Sequence, residues 1–93
     1  MVRYYVVRGR VQGVGFRWFV HREAAALGLK GWVRNTEDGR VELVAAGEPE
    51  KLAELSAALH RGSRGSRVDA VDEVEVEEKT AEDLKSFQIE GAW

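Results

Sequence analysis

Two stretches of this chain repeat their apolar residues with a helical period, and each carries a single apolar stripe. Phe16, Val20, Ala24 and Leu27 recur at four, four and three residues; Leu52, Leu55 and Leu59 recur at three and four. A helix with one such stripe has one face to bury, so each needs a sheet to lie on. The intervening segments supply it. Residues 3–11 (RYYVVRGRV) are rich in Tyr and Val, with apolar residues on both parities, as an interior strand covered on part of each face requires. Residues 30–36 and 40–46 predict two strands joined by Glu37-Asp38-Gly39, residues that tolerate the positive φ of a hairpin turn. Gly28 stands where a C-terminal cap belongs, Pro49 fits a first helical turn, and Gly62 ends the second helix. Residues 62–67 read as a flexible loop.

From Val68 the alternation Val68, Ala70, Val74, Val76 predicts a long strand. Val71 falls on the wrong face and Asp72 interrupts the pattern, which predicts a bulge near 71–72. The carboxylates from Glu73 to Glu78 alternate with valines and read as the solvent face of that strand. Thr80 to Lys85 is a polar connection, and Phe87 and Ile89 alternate with polar residues in a short final strand. The order strand, helix, strand, strand, helix, strand is two split βαβ units. It predicts an α+β, ferredoxin-like βαββαβ sandwich, an antiparallel sheet with both helices on one face and a short extra C-terminal strand. Residues 1–93 make one domain.

Several functional classes are disfavoured by composition. No apolar run approaches the roughly 20 residues of a membrane helix. Met1-Val2-Arg3-Tyr4 runs straight into the first strand, which leaves no leader to read. With no cysteine there is neither a disulfide nor a thiolate nucleophile. These features point to the cytoplasm. His21 and His60 stand at unrelated places, against a transition-metal site. Charge is segregated: residues 1–45 hold eight basic and four acidic side chains, residues 46–93 six and twelve. Either the N-terminal half meets something negative, or the two halves attract each other.

Gly9-Arg10-Val11-Gln12-Gly13-Val14-Gly15-Phe16-Arg17 joins the first strand to the first helix. A glycine-containing turn there lets successive N–H groups converge on one spot as an anion nest. The helix start adds unpaired N–H groups and a positive dipole end. A cation in the first turn of a helix is misplaced unless an anion sits between it and the amides. Arg17 is such a cation, and its guanidinium fork matches two phosphate oxygens. A surface arginine or a structural salt bridge are the plainer readings of Arg17. Asn35 sits on the same side of its strand as Val33 and offers both a donor and an acceptor; its plainer reading is a turn-favouring residue before Asp38-Gly39. The run is not a Walker motif, because the Gly-Lys-Ser/Thr ending is missing.

Gly9 to Arg17 resembles the acylphosphatase signature, glycine-basic-Val-Gln-Gly-Val-x-Phe-Arg. Gly31-Trp32-Val33-Arg34-Asn35-Thr36, followed by Asp38-Gly39 and Val41, resembles that family's second signature, and Arg17 and Asn35 stand 18 residues apart as in the family. The likeness spans the chain in length and element order and is dense in residues 4–46. It implies hydrolysis of carboxyl-phosphate anhydrides, with no metal or other cofactor. It also implies that Arg17 binds the phosphoryl group with the loop amides, here Gln12, Gly13, Val14, Gly15, Phe16 and Arg17, and that Asn35 orients the attacking water. Ser63-Arg64-Gly65-Ser66-Arg67 replaces a Gly-Pro segment common in the family.

The partners implied are a small-molecule acyl phosphate and inorganic phosphate as product and inhibitor, with no nucleic acid and no membrane, acting on a monomer. An acyl phosphate has a carboxylate leaving group of low basicity, so positioning and charge stabilisation suffice without a general acid. Phe16 reads as core, and Trp18 and Trp32 as structural rather than as walls for an acyl group. His21 reads as solvated, and His60 as complementing a helix dipole; Trp93 has no assignable role. An RNA-binding sheet is disfavoured, since residues 40–46 (RVELVAA) lack the aromatics of an RNP1 strand. A domain that binds an anion without hydrolysing it keeps the cradle but leaves Asn35 idle.

Overall fold

The computed structural model describes residues 1–91; Trp93 lies outside the described residues. Strand β1 (Val2–Arg10) leads through a short turn into α1 (Phe16–Ala26), followed by β2 (Lys30–Asn35), β3 (Val41–Ala46), α2 (Pro49–Arg61), β4 (Arg67–Val76), a 3-10 turn (Glu78–Ala81) and β5 (Phe87–Ile89). Both helices stop where glycine lets them. After α1, the Gly28 N–H donates to Ala25 O and the Leu29 N–H to Ala24 O, each at 3.0 Å. This pair of bonds satisfies carbonyls that the helix leaves open and turns Leu29 into the core. Pro49 occupies the first turn of α2, and the Gly62 N–H closes its end on Ala58 O at 2.9 Å.

The sheet runs in the order β4-β1-β3-β2-β5. Its first four strands pair antiparallel, as a ferredoxin-like arrangement requires. Tyr5, Val7, Val33, Leu43 and Ala45 point to one face and pack with Phe16, Phe19, Val20 and Ala24 of α1 and Leu52, Leu55 and Leu59 of α2. The two helical stripes and one sheet face thus close a single core, in which each fully buried Leu contributes about 1.5–3 kcal/mol. β1 and β3 are interior strands, which accounts for the apolar residues on both parities of β1. On the helix-free face Val2 and Val44 are buried under Ala81, with Leu84 packed alongside.

Three expectations need correction. β5 pairs parallel with β2, Gly31 opposite Phe87 and Val33 opposite Ile89, so the sheet is mixed. The direction follows from the path of the chain. After β4 at one edge, residues 77–86 cross the helix-free face to reach the other edge, and the supposed polar connection contains the 3-10 turn that buries Ala81. The bulge of β4 falls at Asp69, since Arg8 pairs with Ala70 and Gly9 with Val68. The extra residue lets Val68 and Val71 both pack against the main core. It also moves Val74, opposite Tyr4, to the helix-free side, where it is 56% exposed. Glu73 accordingly lies toward α2, where Ser56 Oγ donates to Glu73 Oε2 at 2.8 Å.

Candidate active site

The turn between β1 and α1 is built by two glycines. Gly13 has φ 72° and Gly15 φ 76°, while no residue other than glycine has positive φ among the described residues, so Val14 lies between them with the opposite sign. Such alternation turns successive N–H groups toward one side. A Cβ at either glycine meets no atom within 4 Å, so conformation rather than space selects glycine here. Gly15 is the N-cap of α1, and the first helical bond runs from Phe19 N–H to Gly15 O at 3.1 Å. The N–H groups of Phe16, Arg17 and Trp18 precede that bond and have no partner within the helix. Among the described residues no side chain caps this end, and its first turn contains no acidic residue.

Gly13, Gly15, Phe16 and Arg17 line a concavity of about 190 Å³, and Asn35, at the end of β2, lines it too. Val11 and the Phe16 side chain are buried, whereas Trp18 is 68% exposed at the same concavity. The described residues that line it include no carboxylate, histidine or thiol. A wider hollow of about 680 Å³ beside Arg34 and Arg40 contains no helix N-terminus.

Arg17 is half-buried, and its Nη1 donates to the carbonyl oxygens of Glu90 at 3.3 Å and Gly91 at 3.5 Å. Among the described residues no carboxylate pairs with it. Glu90 and Gly91, just beyond β5, therefore hold one terminal nitrogen of the guanidinium through carbonyl oxygens. The hairpin after Asn35 is closed by its own groups. The Thr36 N–H donates to Arg40 O at 2.9 Å, the Arg40 N–H to Thr36 Oγ1 at 3.0 Å, and the Thr36 hydroxyl to Asp38. Arg40 also pairs with Asp38. Hydrogen bonds from Arg40 and then Thr36 hold the Asp38 carboxyl well down, at about 2.

Gln12 joins the two turns. Its Nε2 donates to Thr36 O and Arg40 O, each at 2.8 Å, which fixes the hairpin bearing Asn35 against the glycine turn. Of the sequence-predicted site, Gly13, Gly15, Phe16, Arg17 and Asn35 come together. Gln12 and Val14 do not line the concavity: the Gln12 side chain is occupied by the hairpin, and Val14 packs partly buried on the core. Sequence reasoning missed the Gln12 side chain and the Glu90 and Gly91 carbonyls, the latter more than 70 residues from Arg17. A glutamine inside a glycine turn was the one available signal. Trp32 lies on the opposite side of its strand from Val33, packs against the helix-free cluster and lies beneath the Arg34 guanidinium at 4.7 Å, away from the concavity. His21 is half-buried with its ring 6.1 Å from that of Trp18.

The sequence and the fold of this chain match known proteins. The family model described as Acylphosphatase matches residues 3–89. An acylphosphatase of Koribacter versatilis (strain Ellin345) is 59% identical over 92 residues, covering 98% of this chain and 81% of that protein. The crystal structure of acylphosphatase from Bacillus subtilis superposes with a TM-score of 0.84 at 41% identity, over 98% of this chain and 100% of that one. An acylphosphatase structure from Coxiella burnetii gives 0.88 at 37% identity, over 96% and 90%. The chain belongs to the acylphosphatase family, and it is a hydrolase. Among the described residues no helix is long and apolar enough to cross a membrane.

Proposed function

We propose that this enzyme hydrolyses acyl phosphates at the concavity between the glycine turn and the end of β2, with Arg17 and the turn amides as phosphoryl receptor and Asn35 as the group that orients water. The observation that carries the proposal is the convergence of Gly13, Gly15, Phe16, Arg17 and Asn35 on one hollow of about 190 Å³. The phosphoryl oxygens face the N–H groups of the turn and the first turn of α1, and Arg17 donates to two of them. Gln12 and Val14 belong to the same turn without lining the hollow, and Gln12 fixes the hairpin bearing Asn35 against it.

Asn35 accepts a hydrogen bond from the attacking water and points a lone pair of that water at phosphorus. The new water oxygen–phosphorus bond forms as the bond to the acyl oxygen breaks, and its electron pair leaves with the carboxylate. The proton released by the water passes to the phosphate product or to solvent. The transition state is loose, and the equatorial oxygens gather the charge that the amides and Arg17 stabilise. A carboxylate leaves without protonation, so the absence of an acid–base side chain from the lining matches the chemistry. The reaction on this reading needs no metal, because the cradle supplies the positive potential. Inorganic phosphate is product and competitive inhibitor, and the enzyme works as a cytoplasmic monomer on a single 1–93 domain, without nucleic acid or membrane.

The testing assay is hydrolysis of benzoyl phosphate with EDTA present and inorganic phosphate added. The expected result is turnover that EDTA leaves intact and phosphate inhibits. Phosphate binding without turnover would make the domain an anion binder and contradict the proposal.

A further inference from the structure

Resting on that reading of the cradle, we infer that Trp18 is a wall for the acyl group, and that the enzyme prefers acyl phosphates with an aromatic or extended apolar acyl part over those with a short one. The concavity is smaller than the roughly 300–1,000 Å³ of a pocket that encloses a drug-sized ligand. At about 190 Å³ it has room for the phosphoryl head, so a larger acyl group lies across its rim. Trp18 is on that rim, one residue from Arg17, with 68% of its surface exposed.

An isolated exposed apolar side chain needs no explanation. Trp18 differs from such a residue in two respects. Among the described residues the exposed large hydrophobics are Trp18 and Val74, and Val74 lies on the far, helix-free side of the sheet. The indole also has an aromatic neighbour. His21, three residues along the same helix, meets it edge-on with ring centroids 6.1 Å apart and planes at 74°, and the His21 ring lies 6.3 Å from Phe87 of β5. An indole has only two side-chain torsions, so at the rim it offers a large contact area to a substrate at low entropic cost. An aromatic acyl group gains an aromatic contact there; an acetyl group is too short to cover the indole.

The test compares kcat/KM for benzoyl phosphate and acetyl phosphate in the wild type, Trp18→Ala and Trp18→Phe. The expected result is a benzoyl-to-acetyl ratio that falls about fivefold in Trp18→Ala and largely returns in Trp18→Phe, while the inhibition constant of inorganic phosphate moves less than about twofold. Competitive inhibition by benzoylphosphonate and acetylphosphonate, which do not turn over, should show the same change in ratio. A ratio unchanged in Trp18→Ala overturns the inference and leaves the cradle intact. Absence of wild-type turnover on both substrates overturns the reading of the cradle, and the inference with it.

Discussion

Two turns are joined through Gln12 beside the concavity, and they are built on opposite plans. The hairpin at 36–40 is closed by its own groups: Thr36, Asp38 and Arg40 exchange hydrogen bonds, and Arg40 and Asp38 form an ion pair within the turn. The turn at 12–15 does the reverse. Its two glycines have positive φ, and among the described residues no side chain caps the helix that follows and the cation beside it is held by carbonyls rather than by a carboxylate. A turn that consumes its own donors is a piece of scaffold; one that leaves donors beside a cation is, on the function proposed above, the receptor for the phosphoryl group. Gln12 couples the two turns and so fixes the hairpin bearing Asn35 against the glycine turn.

The largest effect expected on this contrast comes from removing the cation beside the glycine turn. Arg17→Ala should lower kcat/KM by about 10³ and abolish inhibition by millimolar phosphate, since guanidinium contacts to phosphoryl oxygens act in both ground and transition state. Steady-state kinetics with phosphate as inhibitor check both effects; retained phosphate inhibition would mean that the anion sits elsewhere. Asn35→Ala should lower kcat by about 10² with the phosphate inhibition constant changed little, because it removes a group that handles water rather than phosphate. Parallel loss of both constants would place Asn35 in the receptor.

Cutting the link between the turns should do less. Gln12→Ala removes two hydrogen bonds and is expected to cost about 1–2 kcal/mol in urea unfolding, with kcat falling severalfold and the fold preserved. Unaltered kcat would show that the hairpin keeps Asn35 in place unaided. Smallest of all is the titration of Asp38. Its folded pKa of about 2 lies below the usual carboxylate value near 3.9, so its ion pair adds stability above about pH 4 and loses it as pH falls toward 2. The Asp38 carboxyl carbon shift should titrate near 2 rather than near 4, and a midpoint near 4 would mean that the hairpin is not closed by its own charges.

The parts readable from the sequence were those set by local chemistry. Leu52, Leu55 and Leu59 marked the buried side of α2, Gly28, Pro49 and Gly62 marked helix ends, and Glu37-Asp38-Gly39 marked the hairpin, because period, cap and turn are each decided within a few residues. The glycines and Arg17 stood out as neighbours at one turn for the same reason, and Asn35, which lines the same concavity, was singled out through the second signature motif. What escaped depends on partners far along the chain. The direction of Phe87–Ile89 is fixed by the path of residues 77–86 over the helix-free face, not by three residues of strand. The place of the bulge is fixed by pairing with Gly9, since on an edge strand with apolar residues on both faces the alternation fits more than one register. Gln12 looked like one more amide in the nest because its two acceptors lie at Thr36 and Arg40.

The central claim, that an anion is received by main-chain amides of the first turn together with Arg17, is tested most directly by titrating the ¹⁵N-labelled protein with inorganic phosphate and following every amide. Saturable shifts concentrated on Gly13 to Trp18, preserved in Asn35→Ala and absent in Arg17→Ala, are the expected result. Shifts centred instead on the Arg34 and Arg40 hollow, or none at all up to concentrations that inhibit, would contradict the account.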